Sequence, residues 1–117
     1  MGNPIRVLLV DDEERFVLNL AKLLRGRGFE VSTAFDGASG MAAVEKNEGV
    51  DVVLLDVKMP VMDGIETLKR IKEISPETEV LMLTGHATVE TGIAAMREGA
   101  LDYLMKPCDI EDLVAKI

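Results

Sequence analysis

Three apolar runs in this chain stop at charged residues. Ile5 to Val10 is apolar apart from Arg6 and runs into Asp11-Asp12; Val52 to Leu55 runs into Asp56; Tyr103-Leu104-Met105 stops at Lys106-Pro107. A hydroxyl residue, Thr84, closes a further run, Val80 to Leu83. These residue types suit one kind of chemistry. Carboxylates about 4 Å apart repel by roughly 4 kcal/mol in a protein-like dielectric, and a bound cation removes that cost. Mg²⁺ takes hard oxygen ligands, commonly one or two carboxylates plus a phosphate oxygen, and keeps several waters. Lysine adds a compact positive charge, and a threonine hydroxyl can donate to a phosphoryl oxygen. Brought together, the set can hold a divalent cation and accept a phosphoryl group.

Each signal has a plainer reading. Acids ahead of Glu13-Glu14 favour the positive end of a helix dipole. Asp56 suits a turn or a helix cap, Thr84 a cap before the next helix, and Lys106 a surface position before a helix-starting proline. Pro60 stiffens the loop Val57 to Gly64, and Pro107 suits a cis bond in a tight turn.

The chemistry therefore depends on whether the fold gathers these residues. Short apolar runs alternate with stretches of helical period. Strands are expected at Ile5 to Val10, Glu30 to Ala34, Val52 to Leu55, Val80 to Leu83 and Leu101 to Met105. Helices are expected over Glu13 to Arg25, Gly37 to Lys46, Asp63 to Ile74, Val89 to Arg97 and from Ile110. The first helix is expected to bury Phe16, Leu20, Leu23 and Leu24; the second has Met41, Ala42 and Val44. The third is expected to bury Ile65, Leu68, Ile71 and Ile74, and the fifth Leu113, Val114 and Ile117. Gly26, Gly28, Asn47, Gly49, Gly99 and Pro76 act as stops, and Asp63 and Asp109 as N-caps. The unbroken run Val52 to Leu55 suits a central parallel strand buried on both faces. Five β–α units imply an α/β fold, a parallel sheet covered on both sides. In such sheets ligands sit at the carboxyl edge, where all the charged run-ends would meet.

A chain of 117 residues, 48% of them hydrophobic, is read as one globular domain, 1–117. Its net charge of −8 argues against nucleic acid and against an anionic membrane surface. The single cysteine, Cys108, rules out an internal disulfide and fits a reducing compartment. No signal peptide and no membrane-spanning run is recognisable, so a cytoplasmic location is expected. The last helix shows about two turns, against an average near three. It is read as cut from a longer protein or followed by a disordered tail.

The order of these residues resembles one family. From Asp11-Asp12 through Asp56, Met59-Pro60, Asp63-Gly64, Thr84 and Lys106-Pro107, nearly the whole chain is similar to the receiver domains of bacterial two-component response regulators. The resemblance implies a (βα)5 doubly wound sheet with the flavodoxin-like strand order 2-1-3-4-5. It implies that Asp56 accepts a phosphoryl group from a sensor histidine kinase or a phosphotransfer protein. Asp12, Asp56 and the backbone carbonyl of Lys58 would bind Mg²⁺, with Mn²⁺ able to substitute, and Asp11 would act largely through water. Lys106 would pair with the phosphoryl oxygens, Thr84 would hydrogen-bond them, and Tyr103 would swing inward as Thr84 moves. Pro60, Gly64 and Pro107 are the loop and cis-peptide candidates; Lys58 and His86 occupy positions that tune phosphoryl lifetime. The output face would be the fourth helix, fifth strand and fifth helix, acting on an effector domain or protein, with a homodimer through that face among the outputs. Thr84-Gly85-His86 resembles receivers joined to enhancer-binding transcription activators. Cys108 stands where many receivers carry phenylalanine.

Other classes fit less well. A phosphatase using Asp56 as nucleophile commonly has a second acid two residues on, where this chain has Lys58. A nucleotide or flavin binder would need a glycine-rich loop after the first strand, where Asp11-Asp12 stand. A receiver-like module that is never phosphorylated is disfavoured because every matched position is intact.

Overall fold

The computed structural model describes residues 4–46, 50–56, 64–85, 89–106 and 109–117, the side chains of Thr84, Val89 and Thr91 excepted. Strands and helices alternate: β1 (Arg6–Val10), α1 (Glu14–Gly26), β2 (Glu30–Ala34), α2 (Gly37–Lys46), β3 (Val52–Leu55), α3 (Gly64–Ile74), β4 (Glu79–Thr84), α4 (Val89–Arg97), β5 (Asp102–Met105) and α5 (Ile110–Lys116). All the paired strands run parallel, in the order β2-β1-β3-β4-β5. The doubly wound α/β sheet with order 2-1-3-4-5 expected from the sequence is the one observed.

The pleat sorts the core. Successive strand residues point to opposite faces, so β1 sends Val7 and Leu9 one way and Leu8 and Val10 the other. Val7 and Leu9 join Val52, Leu54, Leu81 and Leu83 beneath α1 and α5. Leu8 and Val10 join Val53, Leu55, Val80 and Met82 beneath α2, α3 and α4. Every residue of β3 is buried, as its unbroken apolar run required. At Gly40 on α2 an added Cβ would lie 2.9 Å from Val10 Cγ2, so α2 rests directly on β1 only because that position has no side chain.

Several details differ from the sequence expectation. In α1 the buried stripe is Val17, Leu20, Ala21 and Leu24, at the i, i+3, i+4, i+7 spacing of one helix face. Leu23 falls to the side of that stripe and is exposed, while Phe16 packs at its margin. In α3 the face is Gly64, Thr67, Leu68 and Ile71; Ile74 ends the helix in solvent and Ile65 is half-buried. Ile5 precedes β1 and is exposed, and Glu13 is the N-cap of α1 rather than its first turn. The strand β4 reaches from Glu79 to Thr84, and β5 opens at Asp102, not Leu101. The expected stop at Gly28 holds, with a positive φ of 93° that favours glycine. Asp109 caps α5 through the amide of Glu111. Asp63 lies outside the described residues, as do Asn47 and Gly49.

Candidate functional site

The strand order reverses between β1 and β3, and a crevice opens there at the carboxyl edge. Asp11 and Asp12 follow β1 directly, and Asp56 follows β3. Ladder bonds carry past both strand ends: the Asp11 N–H donates to the Ala34 carbonyl (3.1 Å), and the Asp56 N–H donates to the Val10 carbonyl (3.0 Å). The main chain is thereby fixed at the two residues whose side chains matter. Asp11 and Asp56 are buried, at 4% and 5% exposure, and Asp12 is exposed. Carboxylate oxygens of the three lie within 4.8 Å of one another.

Lys106, immediately after β5, reaches back over this cluster. Its Nζ donates to Asp11 Oδ2 at 2.5 Å and to Glu13 Oε1 at 2.8 Å, and lies 3.9 Å from Asp56 Oδ2. The ammonium also stands over the Phe16 ring, 4.2 Å from its centroid, a cation–π position. Asp11 has donors on both oxygens, because its Oδ1 accepts the Glu13 N–H at 3.0 Å. Burial nevertheless pushes the Asp11 carboxyl up to about 6, against the pull of the Lys106 and Glu13 hydrogen bonds and with the push of the Asp56 charge. Burial works against the Lys106 charge as well. The hydrogen bonds to Asp11 and Glu13 overcome it and hold the ammonium above its ordinary value.

This donor set fits a hard divalent cation. Its side-chain donors are carboxylate oxygens at metal-sharing distance. Burial is the main reason that Asp11 resists ionisation, and the neighbouring Asp56 charge adds to it, so a bound cation would favour the ionised form. Asp11 is already bonded on both oxygens, which leaves Asp12 and Asp56 better placed for direct ligation.

The structure thus brings together Asp11, Asp12, Asp56 and Lys106, the residues at the ends of the first, third and fifth strands. Thr84 ends β4, where its backbone is in register with Met105. Tyr103 is half-buried and packs on the core beneath α4. At Gly92 an added Cβ would lie 3.7 Å from Tyr103 Cδ1, so the ring rests against α4 where that helix has no side chain. Gly64, grouped with the loop candidates, is buried and opens α3. Lys58, Pro60, His86, Pro107 and Cys108 lie outside the described residues. Two contributors went unrecognised in the sequence: Glu13, read only as a helix start, and Phe16, read only as core.

Parallel strands in this order, with three acids and a lysine at the switch point, define a receiver domain. Residues 7–117 match the response regulator receiver domain family, and the chain belongs to it. It is similar to the transcriptional regulatory protein ZraR of Escherichia coli (strain K12), 43% identical over 113 residues, which are 97% of this chain and 25% of that protein. Among solved structures, a CheY-like receiver from Methanospirillum hungatei JF-1 superposes with a TM-score of 0.92 at 34% identity, covering 97% of this chain and 90% of that one. A response regulator from Burkholderia pseudomallei, solved with a phosphorylated aspartic acid, a calcium ion and citrate, superposes with a TM-score of 0.91 at 27% identity, covering 96% and 65%. The chain spans about a quarter of the length of the curated ZraR relatives it matches. Among the described residues no helix is long and apolar enough to cross a membrane.

Proposed function

We propose that Asp56 is the phosphoacceptor of this receiver and that the domain is a signalling switch, not an enzyme acting on an outside substrate. The observation that carries the reading is the convergence of Asp11, Asp12, Asp56 and Lys106 on one edge. A carboxylate oxygen of Asp56 gives its electron pair to phosphorus; the bond from phosphorus to the donor breaks, and its pair leaves with the donor. With a kinase phosphohistidine the broken bond is P–N, and with acetyl phosphate it is P–O, releasing acetate. Such transfer depends on positioning and on neutralising charge. Lys106 pairs with the transferred oxygens, and the Thr84 hydroxyl donates to them.

Asp12, Asp56 and the Lys58 carbonyl are the proposed Mg²⁺ ligands, with Asp11 bonding metal-bound water and Mn²⁺ a substitute. When bound, the ion supplies positive charge beside the transferring group. The Burkholderia pseudomallei relative, which holds a phosphorylated aspartic acid and a calcium ion, supports this assignment.

Asp56 as an acyl phosphate gains roughly one negative charge and new acceptor oxygens, as in the hydroxyl case. Recruiting Thr84 and Lys106 biases Tyr103 and the α4–β5–α5 face. Ile93, Met96, Leu101 and Met105 are exposed on the α4 and β5 part of that face. The partners proposed are a histidine kinase or phosphotransfer protein, an effector domain or protein controlling transcription, and a second copy through that face. Residues 1–117 form the receiver of a longer cytoplasmic regulator.

The test is intact mass after incubation with acetyl phosphate and Mg²⁺. The expected result is a gain of one phosphoryl group that is lost with EDTA and in Asp56→Asn. Equal labelling of Asp56→Asn would move the acceptor elsewhere.

A further inference from the structure

We infer that Glu13 is a positioning residue that competes with the phosphoryl group for Lys106 and so restrains the charging of Asp56. The inference deepens the reading of Asp56 as acceptor and rests on it.

The ammonium of Lys106 has three donors. Two are engaged, by Asp11 at 2.5 Å and by Glu13 at 2.8 Å, and Asp56 at 3.9 Å is beyond hydrogen-bond reach. To bond phosphoryl oxygens arriving on Asp56 with its third donor, the ammonium shifts toward β3, which stretches its bonds to the present partners. The two partners differ in how readily they yield. The Asp11 side chain is 6% exposed, and losing Lys106 would strip a buried carboxylate oxygen of its direct hydrogen-bond donor, a costly state. The Glu13 side chain is 62% exposed, and its carboxylate returns to water at little cost. Glu13 is therefore the ligand that gives way.

Two further features fit this role. Glu13 is the N-cap residue of α1, yet its side chain makes no capping bond, so its carboxylate is turned to Lys106 rather than to the helix. The Phe16 ring, one turn along the same helix, stands under the ammonium and holds it at the site while it changes partners. Glu13 thus ties the end of β5 to the start of α1 before phosphorylation, and the phosphoryl group replaces that tie. Restraint is the expected consequence: a fraction of the binding energy between Lys106 and the incoming group is offset by the broken Glu13 pair.

The test compares initial labelling rates from sub-saturating acetyl phosphate at saturating Mg²⁺, read by intact mass. Acetate leaves as the P–O bond breaks and the Asp56–phosphorus bond forms. An exposed ion pair of this kind should restrain the rate about three-fold, so Glu13→Gln is expected to label about three-fold faster. Glu14→Gln removes the same charge one residue along, on a side chain outside this pair, and is expected to label near the wild-type rate. In a Lys106→Ala background the Glu13→Gln gain should vanish, as a double-mutant cycle requires if the effect passes through Lys106. Equal gains in Glu13→Gln and Glu14→Gln, or a gain that survives Lys106→Ala, would overturn the inference while leaving Asp56 as acceptor. A wild-type chain that takes no label would overturn the acceptor reading, and the inference with it.

Discussion

Two helices on opposite faces of the sheet, α1 and α4, are held to different degrees. Beneath α1 and α5 the helices contribute Val17, Leu20, Leu24 and Leu113, large side chains that are fully or nearly fully buried. That layer is also tied at its surface: Arg27, just after α1, pairs with Glu111 of α5, and Lys116 of α5 pairs with Asp102 of β5 at 2.7 Å. On the other face α4 is attached lightly. Among its described side chains Ala95 alone is fully buried, Gly92 provides no side chain against Tyr103, and Ile93 and Met96 are each 50% exposed. The described side chains of α4 bury little apolar area, and an interior glycine weakens a helix by about 1 kcal/mol. A deeply buried α1 and a lightly buried α4 on opposite sides of one site suit a switch, because segments with few buried apolar contacts open at lower free energy.

Truncation should expose this contrast most strongly. Leu24→Ala in the α1 layer is expected to cost about 3 kcal/mol, whereas Met96→Ala on α4 should stay within about 0.5 kcal/mol. Chemical denaturation of both variants measures it, and equal losses would dissolve the distinction between the two helices.

A pH series separates the charged edge from both faces. The Asp11 carboxyl, raised from 3.8 to about 6 by burial, favours folding when protonated. Its stabilising contribution is full below 3.8 and is lost as pH rises through about 6. The Lys116 hydrogen bond, with that of the Tyr103 amide, holds Asp102 below 3.8. Its contribution is present above 3.8 and is lost as pH falls through the lower, folded value. The metal-free chain should therefore gain melting temperature from pH 7 to pH 5 and lose it again toward pH 3. Saturating Mg²⁺ should remove the first limb by favouring the ionised carboxylates. A gain from pH 7 to pH 5 that persists undiminished under Mg²⁺ would detach Asp11 from the metal site.

The smallest effect is the most pointed. Gly92→Ala places a methyl group at ordinary contact distance from Tyr103 and improves helix propensity. It should stabilise α4 by about 0.5–1 kcal/mol and slow amide hydrogen exchange there selectively. Unchanged exchange in α4 would mean that the glycine is not what loosens it.

These contrasts were unevenly legible in the sequence. The alternation of elements, the burial of Val52 to Leu55 and the placing of Asp11, Asp12, Asp56 and Lys106 at strand ends all follow from local pattern, because strand period and breakers act over a few residues. The inward faces were less exact. Leu23 and Ile74 are apolar and near the right spacing, but the packing angle of each helix decides which flank of the stripe is covered, and no residue within the helix encodes that angle. The partnership of Glu13 and Phe16 with Lys106 was not legible. Glu13 and Lys106 are 93 positions apart, and only the closed sheet brings them to 2.8 Å.

That separation has a kinetic consequence. The bridge from Lys106 to Asp11 spans 95 positions, and β3 and β4 lie between the two strands that present its partners. Contacts of such long range close late in folding because the chain entropy they cost is large. Until β5 arrives, a nascent chain would present its gathered acids without their ammonium. The completed edge is then also a record that the sheet has closed: the residue after β5 delivers the charge that favours ionisation of the buried carboxylate after β1.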